Sequence, residues 1–559
     1  MPVEEMRHQS GGADVRVRHL VPTGRTLEQN LLDAAARWPD KAGLVFYDTA
    51  IPYAEMADTA RRIAGFLATD LGVKPGDRVM IQLQSTPQFG LAYYGILLAG
   101  AVVVPVNPMN RLAELSHVAE DSGARVLFAV DADLDQIRTL KAAGSLDHAV
   151  IVTYSDYLRA PTTLTVPDFI AAPAVAFSDP GLTAWRDVLA ADRPAPAIRP
   201  AADDLAVLPY TSGSSGRPKG CRHTHATTDH ALRCVTEWFG HRHEDVYLTV
   251  APLFHVTGMQ TALNAPILMG GTAILLPRWD RDAAAEIIAR YHVTIWPAIP
   301  TMAVDLLAKP GIETWDLSSI RVMFGGGVAM PEAVAARLTE LCGISFLEGY
   351  GMTETMAPTT ANPPEAPRRQ CGGLPVYDTT LRIADPETLV EMPTGEVGEV
   401  LISGPQVFLG YWNRPEDDAS AFVEIDGVRF LRSGDLGYID DAGYLFLVDR
   451  VKRMINVAGY KVWPAEVETM LYGHPAIREV CVIGTPDVRS GEAVKAIIVL
   501  RDDAEPVTGR EITDWARTVM SAYKIPRIIE FAETLPRSGT GKIQWAALQA
   551  RERDARPAS

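Results

Sequence analysis

The run YTSGSSGRPKG (residues 210–220) concentrates the residue types that hold a polyphosphate. Thr211, Ser212, Ser214 and Ser215 offer hydroxyl donors, and Lys219 adds a point charge. Gly213, Gly216 and Gly220 let backbone N–H groups turn toward an anion. The apolar residues of LAVLPY just upstream place this loop at the end of a strand. It is not a Walker A loop, because GxxxxGK(S/T) does not fit and Pro218 directly precedes the lysine. Taken alone, a Gly/Ser loop is as readily a solvated turn, so the reading depends on the rest of the chain. The adjoining CRHTH (residues 221–225) sets three ligand-capable side chains at alternate positions but lacks a clear fourth, which argues against a zinc site.

Chemistry of this kind needs a scaffold, and the totals bound it. At 559 residues the chain exceeds one compact core and implies roughly two to four domains. A composition of 47% hydrophobic and 22% charged residues is that of an ordinary globular protein. A net charge of −17, with no long Lys/Arg run, argues against a nucleic-acid partner. Five scattered cysteines without CxxC fit a reducing cytoplasm, and the first twenty residues lack the apolar stretch of a signal peptide. The expected location is therefore cytoplasmic. Residues 89–108 are apolar enough to suggest a membrane span, but Gly100 divides them into a helical and a strand-like part. We therefore expect no integral membrane span, and leave room for peripheral contact with a lipid substrate.

Residues 26–110 alternate helical patterns with short apolar strands, as in layered α/β structures with parallel strands. Residues 154–200 turn to Pro, Ala, Asp and Thr without periodicity and read as a surface insertion. After the phosphate-type loop, strands such as VYLTV, VTIWPAIP, SIRVMFGGG and ISFLEGYG end in Gly, Pro or polar residues, as binding loops at sheet ends do. Residues 372–448 hold short, glycine-rich strands of a β-rich subdomain. DRVKR (residues 449–453) is a charged pivot, followed by a small α+β domain whose helix opens at Pro464. The fold class is thus α/β, with a large N-terminal domain (1–450) and a small mobile α+β C-terminal domain (451–559).

The hydroxyls, glycines, Pro218 and Lys219 of the loop resemble, in order and type, the phosphate loop of the adenylate-forming enzymes. That superfamily includes acyl-CoA synthetases, the firefly-luciferase type and the adenylation domains of peptide synthetases. The resemblance runs from about residue 26 to 548, is closest to fatty-acid–CoA ligases, and implies ATP, Mg²⁺ and coenzyme A as cofactors. It places an adenine pocket at Gly325, Gly326 and Gly327. In EGYGMTET, which holds Glu348, Gly349, Tyr350, Gly351, Met352, Thr353 and Glu354, it stacks Tyr350 on adenine and puts Thr353 on the α-phosphate. Glu354 would hold Mg²⁺, a hard cation for which one carboxylate suffices because it keeps its waters. Asp435 would take both ribose hydroxyls, Arg450 would make a second nucleotide contact, and Lys542 would offset charge as the carboxylate attacks phosphorus. Gly459 and Lys461 of AGYK would line the thiol channel after rotation about Lys452. Many relatives carry Asp after that hinge lysine, whereas Arg453 stands here.

The resemblance implies two half-reactions: a small-molecule carboxylic acid and ATP give an acyl-adenylate and pyrophosphate, and a thiol then displaces AMP. In APLFHVTGM, His255 stands where amino-acid-activating relatives keep an aspartate, so the acid is not an amino acid. Acetate-specific relatives block the pocket with tryptophan where this chain has Gly351, which implies an open tunnel for a medium- to long-chain fatty acid. Met259, Met323 and Met356 are candidate tunnel residues, and equally candidates for ordinary core. VKRMINVAGY lacks the insertion of ligases that do not use CoA, which favours CoA as acceptor. The alternatives are an aryl or alicyclic acid, an acyl-AMP ligase loading a carrier protein, or an inactive nucleotide-binding sensor. Lys219, Glu354, Asp435 and Lys542 weigh against the sensor. A homodimer is left open.

Overall fold

Strand alternation decides the layering of the larger part of the molecule. Along the parallel strands Arg78–Gln82, Val102–Pro105, Val126–Val130 and His148–Val152, neighbouring side chains point to opposite faces. Val79, Ile81, Val103, Val126, Phe128, Val150 and Val152 enter one core, while Met80, Val102, Val104, Leu127, Ala129, Ala149 and Ile151 enter another. The second core is closed by helices Leu112–Ser122 and Leu134–Ala142 through Leu115, Val118, Ile137 and Leu140. The first takes in helices Tyr53–Thr69 and Pro87–Leu98 and continues to a second sheet through Leu44, Phe46, Tyr247 and Ile295. A sheet covered on both faces needs apolar residues throughout, which is why these strands read as continuous hydrophobic runs.

These features belong to a computed structural model, which describes residues 5–7, 16–211, 217–326, 330, 332–458, 460–487, 489, 491–502, 504–537 and 543–555. The chain divides into two units. The first comprises Met1–Thr211, Pro218–Thr380 and Ile402–Arg429; the second includes Leu381–Leu401 and Phe430–Ser559.

In the first unit, a seven-stranded sheet runs in the order His223–Thr224, Leu205–Val207, Val102–Pro105, Arg78–Gln82, Val126–Val130, His148–Val152, Leu182–Ala184. A nine-stranded sheet runs Leu374–Pro375, Thr360–Ala361, Phe346–Tyr350, Val322–Gly326, Ile295–Pro297, Val246–Thr249, Thr272–Leu275, Ala42–Phe46, Thr49–Pro52. Its six central strands are parallel and its flanking pairs antiparallel. Residues 89–108 form most of the helix Pro87–Leu98 and the buried strand Val102–Pro105, separated at Gly100. Among the described residues no helix is long and apolar enough to cross a membrane.

The expected insertion at 154–200 is instead part of the scaffold. Leu182–Ala184 adds a parallel edge strand beside His148–Val152, and Tyr154, Tyr157, Ile170, Trp185 and Val188 are buried in the main core. Short elements with few apolar residues each give no periodic signal, although together they cover a sheet edge.

The second unit carries the hairpin Val428–Ile439 with Leu445–Arg450 and a five-stranded sheet ordered Tyr460–Val462, Ile455–Val457, Gly491–Leu500, Ile477–Asp487, with Ile528–Phe531 parallel to Gly491–Leu500. Helices Pro464–Leu471, Gly509–Val519 and Trp545–Ala555 accompany it, the first with proline in its opening turn. The expected cut at 450 falls inside this unit. The reason is local: the Asp449 carboxylate accepts the Ala465 N–H at 2.6 Å, which binds the pivot to the helix that follows.

Helix Tyr53–Thr69 supplies a test of the re-assigned segment. A Cβ at Gly65 would lie 2.2 Å from the Arg193 carbonyl oxygen. In an ordinary helix interior Gly→Ala stabilises by about 1 kcal/mol. Here Gly65→Ala should destabilise by about 1–3 kcal/mol through overpacking, read as a fall in Tm; a rise would detach the 182–195 segment from this helix.

Candidate nucleotide site

The ends of the phosphate-type loop are pinned together. Tyr210 and Gly220 form an antiparallel bridge, and Thr211 donates its N–H to the Lys219 carbonyl at 2.9 Å. The Tyr210 hydroxyl donates to Asp121 at 2.8 Å, and Arg414 reaches the other oxygen of Asp121 at 3.2 Å. Ser212, Gly213, Ser214, Ser215 and Gly216 lie outside the described residues, as do Gly327, Gly459 and Lys542. Lys461 is described for its backbone alone, paired with Asn456.

Beyond the loop the chain forms a short ladder with residues 409–412. Arg222 N–H donates to Gly410, Leu409 N–H to Arg222, and Trp412 N–H to Gly220 at 2.8 Å. That ladder brings up Tyr411, Asp417 and Asp418, which sequence reasoning missed. Lys219 is ion-paired with Asp417, and its ammonium lies 4.9 Å from the centre of the Tyr411 ring. The Tyr411 hydroxyl donates to Glu354 Oε1 at 2.8 Å. Burial, with the Glu354 charge beside it, pushes the Tyr411 phenol well above its ordinary value, so it remains a neutral donor. The run YWNRPEDD shows an aromatic beside three acids, but nothing in its spacing points to Lys219 or Glu354.

Strand Phe346–Tyr350 delivers the EGYGMTET residues, with Glu354 in the short turn Thr353–Thr355. Glu354 is 8% exposed, and its carbonyl accepts the Phe408 N–H at 2.9 Å. Accepting a neutral O–H does not cancel a carboxylate's charge, and a charged oxygen ligand fits a magnesium ion held with waters. Glu348 does different work: its two oxygens accept the N–H groups of Met330 at 2.6 Å and Cys371 at 3.1 Å. Burial pushes its pKa up while those donors pull it down, and the carboxylate ties strand Phe346–Tyr350 to two neighbouring loops. Gly326 and Gly349 stand opposite each other, and a Cβ on Gly326 would lie 2.2 Å from the Gly349 carbonyl oxygen. The sheet itself therefore demands glycine at 326. Tyr350 is mostly buried and Met352 half-buried beside it, Tyr350 Oη and Met352 Sδ being 4.0 Å apart.

Gly351 is exposed just after strand Phe346–Tyr350. A Cβ there would meet the Cα atoms of Ala357 and Pro358 at 3.1 Å, so a larger side chain strains its own turn first. Met259, Met323 and Met356 are fully buried in the main core. His255 is exposed at the start of the turn Val256–Gly258, its Nδ1 accepting the Thr257 N–H at 3.3 Å.

The CRHTH side chains go to separate partners. His223 donates Nε2–H to the Thr353 carbonyl at 2.8 Å, and His225 Nδ1 accepts the Leu27 N–H at 3.1 Å. Burial lowers the His223 pKa to about 4, opposed by the Thr353 carbonyl. A carbonyl can only accept, so the proton sits on Nε2 and the ring braces the turn that carries Thr353 and Glu354.

In the second unit Asp435 and Arg450 are cross-strand partners, with Arg450 Nε 2.9 Å from Asp435 Oδ1. Asp435 is 7% exposed, and the pair forms the open end of the hairpin ladder, opposite its turn. Lys452 is exposed in the turn Val451–Arg453. Arg453 is part-buried between Glu468 and Asp449, the latter at 3.6 Å, and its guanidinium stands 5.7 Å from the Trp545 ring. The carboxylates outweigh the burial that would lower its pKa, and the net shift is upward. Arginine at the position where many relatives carry aspartate is therefore an internal counter-ion for two acids.

With this geometry in place, comparison with known proteins identifies the lineage. The family model described as "AMP-binding enzyme" matches residues 31–412, and that of the "AMP-binding enzyme C-terminal domain" matches residues 466–542. The chain belongs to the AMP-binding, adenylate-forming enzymes. It is 34% identical over 538 residues to a long-chain-fatty-acid–CoA ligase of Bacillus subtilis (strain 168), covering 94% of this chain and 95% of that one. It is 35% identical over 497 residues to a feruloyl-CoA synthase of Amycolatopsis sp, covering 89% and 92%. Among solved structures, ATP-bound MatB from Rhodopseudomonas palustris superimposes with a TM-score of 0.82 at 27% identity, covering 95% of this chain and all of that one.

Two substitutions probe the supports of the site. The unfolded His223 imidazole protonates near pH 6.5, the folded one only near 4. Its contribution to stability is thus intact above pH 6.5 and lost as the pH falls toward 4. His223→Gln should flatten the fall in urea-unfolding free energy by up to about 1.4 kcal/mol per pH unit within that window; an unaltered slope would mean the native ring protonates normally. Arg453→Asp, which leaves Asp449 and Glu468 uncompensated, should cost about 3–5 kcal/mol in thermal unfolding, and a loss below 1 kcal/mol would remove the counter-ion role.

Proposed function

We propose that this AMP-forming acid–CoA ligase acts on a medium- to long-chain fatty acid. The observation behind the adenylating chemistry is the row Lys219, Tyr411, Glu354, which sets a phosphate-seeking cation beside a buried carboxylate. The acid class rests on likeness to the long-chain ligases and on APLFHVTGM, which offers no carboxylate to an ammonium group. A compact aryl acid is the second reading, favoured by the equal likeness to a feruloyl-CoA synthase.

In the first half-reaction Lys219 exchanges Asp417 for phosphate oxygens of ATP, aided by the donors of residues 211–216. Thr353 contacts the α-phosphate, Tyr350 and Gly326 flank the base, and Asp435 with Arg450 takes the ribose. Magnesium, held by Glu354, supplies charge neutralisation at the phosphates. An oxygen of the substrate carboxylate attacks the α-phosphorus, pyrophosphate leaves, and Lys542 stabilises the charge that develops. His255 borders the acid. In the second half-reaction the thiol sulfur of coenzyme A attacks the acyl carbon and AMP departs, with Gly459 and Lys461 beside the pantetheine.

Pyrophosphate release across a panel of alkyl and aryl acids, with and without CoA, decides the substrate: medium- and long-chain acids should give the highest kcat/KM, and an aryl acid at the top would replace the fatty-acid reading. Lys542→Ala should slow adenylate formation by about 10²–10³-fold and spare thioester formation from supplied acyl-adenylate. Equal loss of both halves would contradict the assigned role.

A further inference from the structure

Tyr411 touches both charged groups of the proposed phosphate site, and its own placement is fixed from several sides. Its backbone bridges Cys221, its N–H donates to Asp418 at 2.6 Å, and its ring packs edge-on against Phe408 at 4.8 Å. From that fixed base the hydroxyl reaches Glu354 Oε1 at 2.8 Å, while the ring faces Lys219 Nζ at 4.9 Å.

The chemistry of the contact is selective. A carboxylate on a short turn rotates freely unless something orients it, and an arginine or lysine would do so at the expense of its charge. A phenol O–H fixes one oxygen and leaves the full negative charge for a cation. The face of the same ring is an uncharged seat for an ammonium group, which the ring quadrupole attracts without occupying its N–H donors. One side chain thus touches both the metal-seeking carboxylate and the phosphate-seeking lysine, the latter also paired with Asp417. We propose that Tyr411 is a positioning residue for nucleotide activation, aiming Glu354 through its hydroxyl and seating Lys219 on its ring. The inference rests on the roles proposed above for Glu354 and Lys219.

The test separates the two functions of the ring and separates this inference from the reading beneath it. Tyr411→Phe keeps the ring and removes the hydroxyl; Tyr411→Leu removes both. Calorimetric titration of ATP into each variant at graded Mg²⁺, alongside steady-state kinetics, reads nucleotide affinity and the magnesium midpoint independently. Tyr411→Phe should raise the Mg²⁺ midpoint about tenfold, the effect of losing one hydrogen bond to a charged group, with ATP affinity at saturating Mg²⁺ and the KM for the acid within about twofold. Tyr411→Leu should weaken ATP binding further, by about three- to fivefold, through the lost ammonium seat. In a Glu354→Gln background, Tyr411→Phe should have no added effect on the midpoint. An unchanged midpoint for Tyr411→Phe, or a fully additive effect in that background, overturns the inference. If Glu354→Gln itself leaves the Mg²⁺ requirement unchanged, the assignment of the metal-holding carboxylate fails, and the positioning role fails with it. Melting temperatures identify any variant that does not fold; Tyr411→Phe, which retains the packing against Phe408, decides the matter if Tyr411→Leu does not.

Discussion

The backbone ladder between residues 220–222 and 409–412 is the constraint on which the candidate phosphate site depends. It joins segments far apart in the chain: Lys219 and its partner Asp417 are separated by 198 positions. Without that pairing the lysine would stand on a glycine-rich loop with no fixed neighbour. With it, Tyr411 is delivered to a defined distance from both Lys219 and Glu354. The ladder consists of main-chain hydrogen bonds, so it fixes position without spending any reactive side chain.

Charge in each unit is arranged by graded compensation. In the first unit Lys219 is paired with the Asp417 carboxylate and Glu354 accepts a neutral hydroxyl; in the second, Asp435 is paired with a half-exposed arginine across a hairpin. The Lys219 and Asp435 ion pairs have partners that water also reaches, where such pairs are weak and exchangeable. Arg453 is the opposite case. It is part-buried with two acids, and exchange there would strand charge in a poorly solvated place. The same contrast separates Glu354 from Glu348, whose oxygens are taken by backbone N–H groups and which serves the sheet.

Much of this was legible in local pattern. The alternation of helices and strands, the division of residues 89–108 at Gly100, and the C-terminal order of helix and strand follow from hydrophobic periodicity and from Pro464 at a helix start. The residues of the phosphate loop, of EGYGMTET, and Asp435 and Arg450 stood out because their types and order carry a chemical requirement. The edge strand at 182–184 did not stand out, because three residues cannot express a period and its burial is supplied by elements elsewhere. Gly351 shows the same limit: the sequence gives a missing side chain, and that Ala357 and Pro358 face it is a property of the fold.

The sequence by itself determined the chemistry on offer, since residue identity sets which groups donate, accept, titrate or let the backbone turn. It also determined the family, because those groups occur in a required order. Only the tertiary structure decided which of them meet. Tyr411 facing Glu354, Asp417 holding Lys219, and Arg453 between Asp449 and Glu468 depend on strand register and loop ladders that bring distant residues within a few ångströms. Contact energies fall off over that short range, and no local pattern in a linear chain encodes a distance across it.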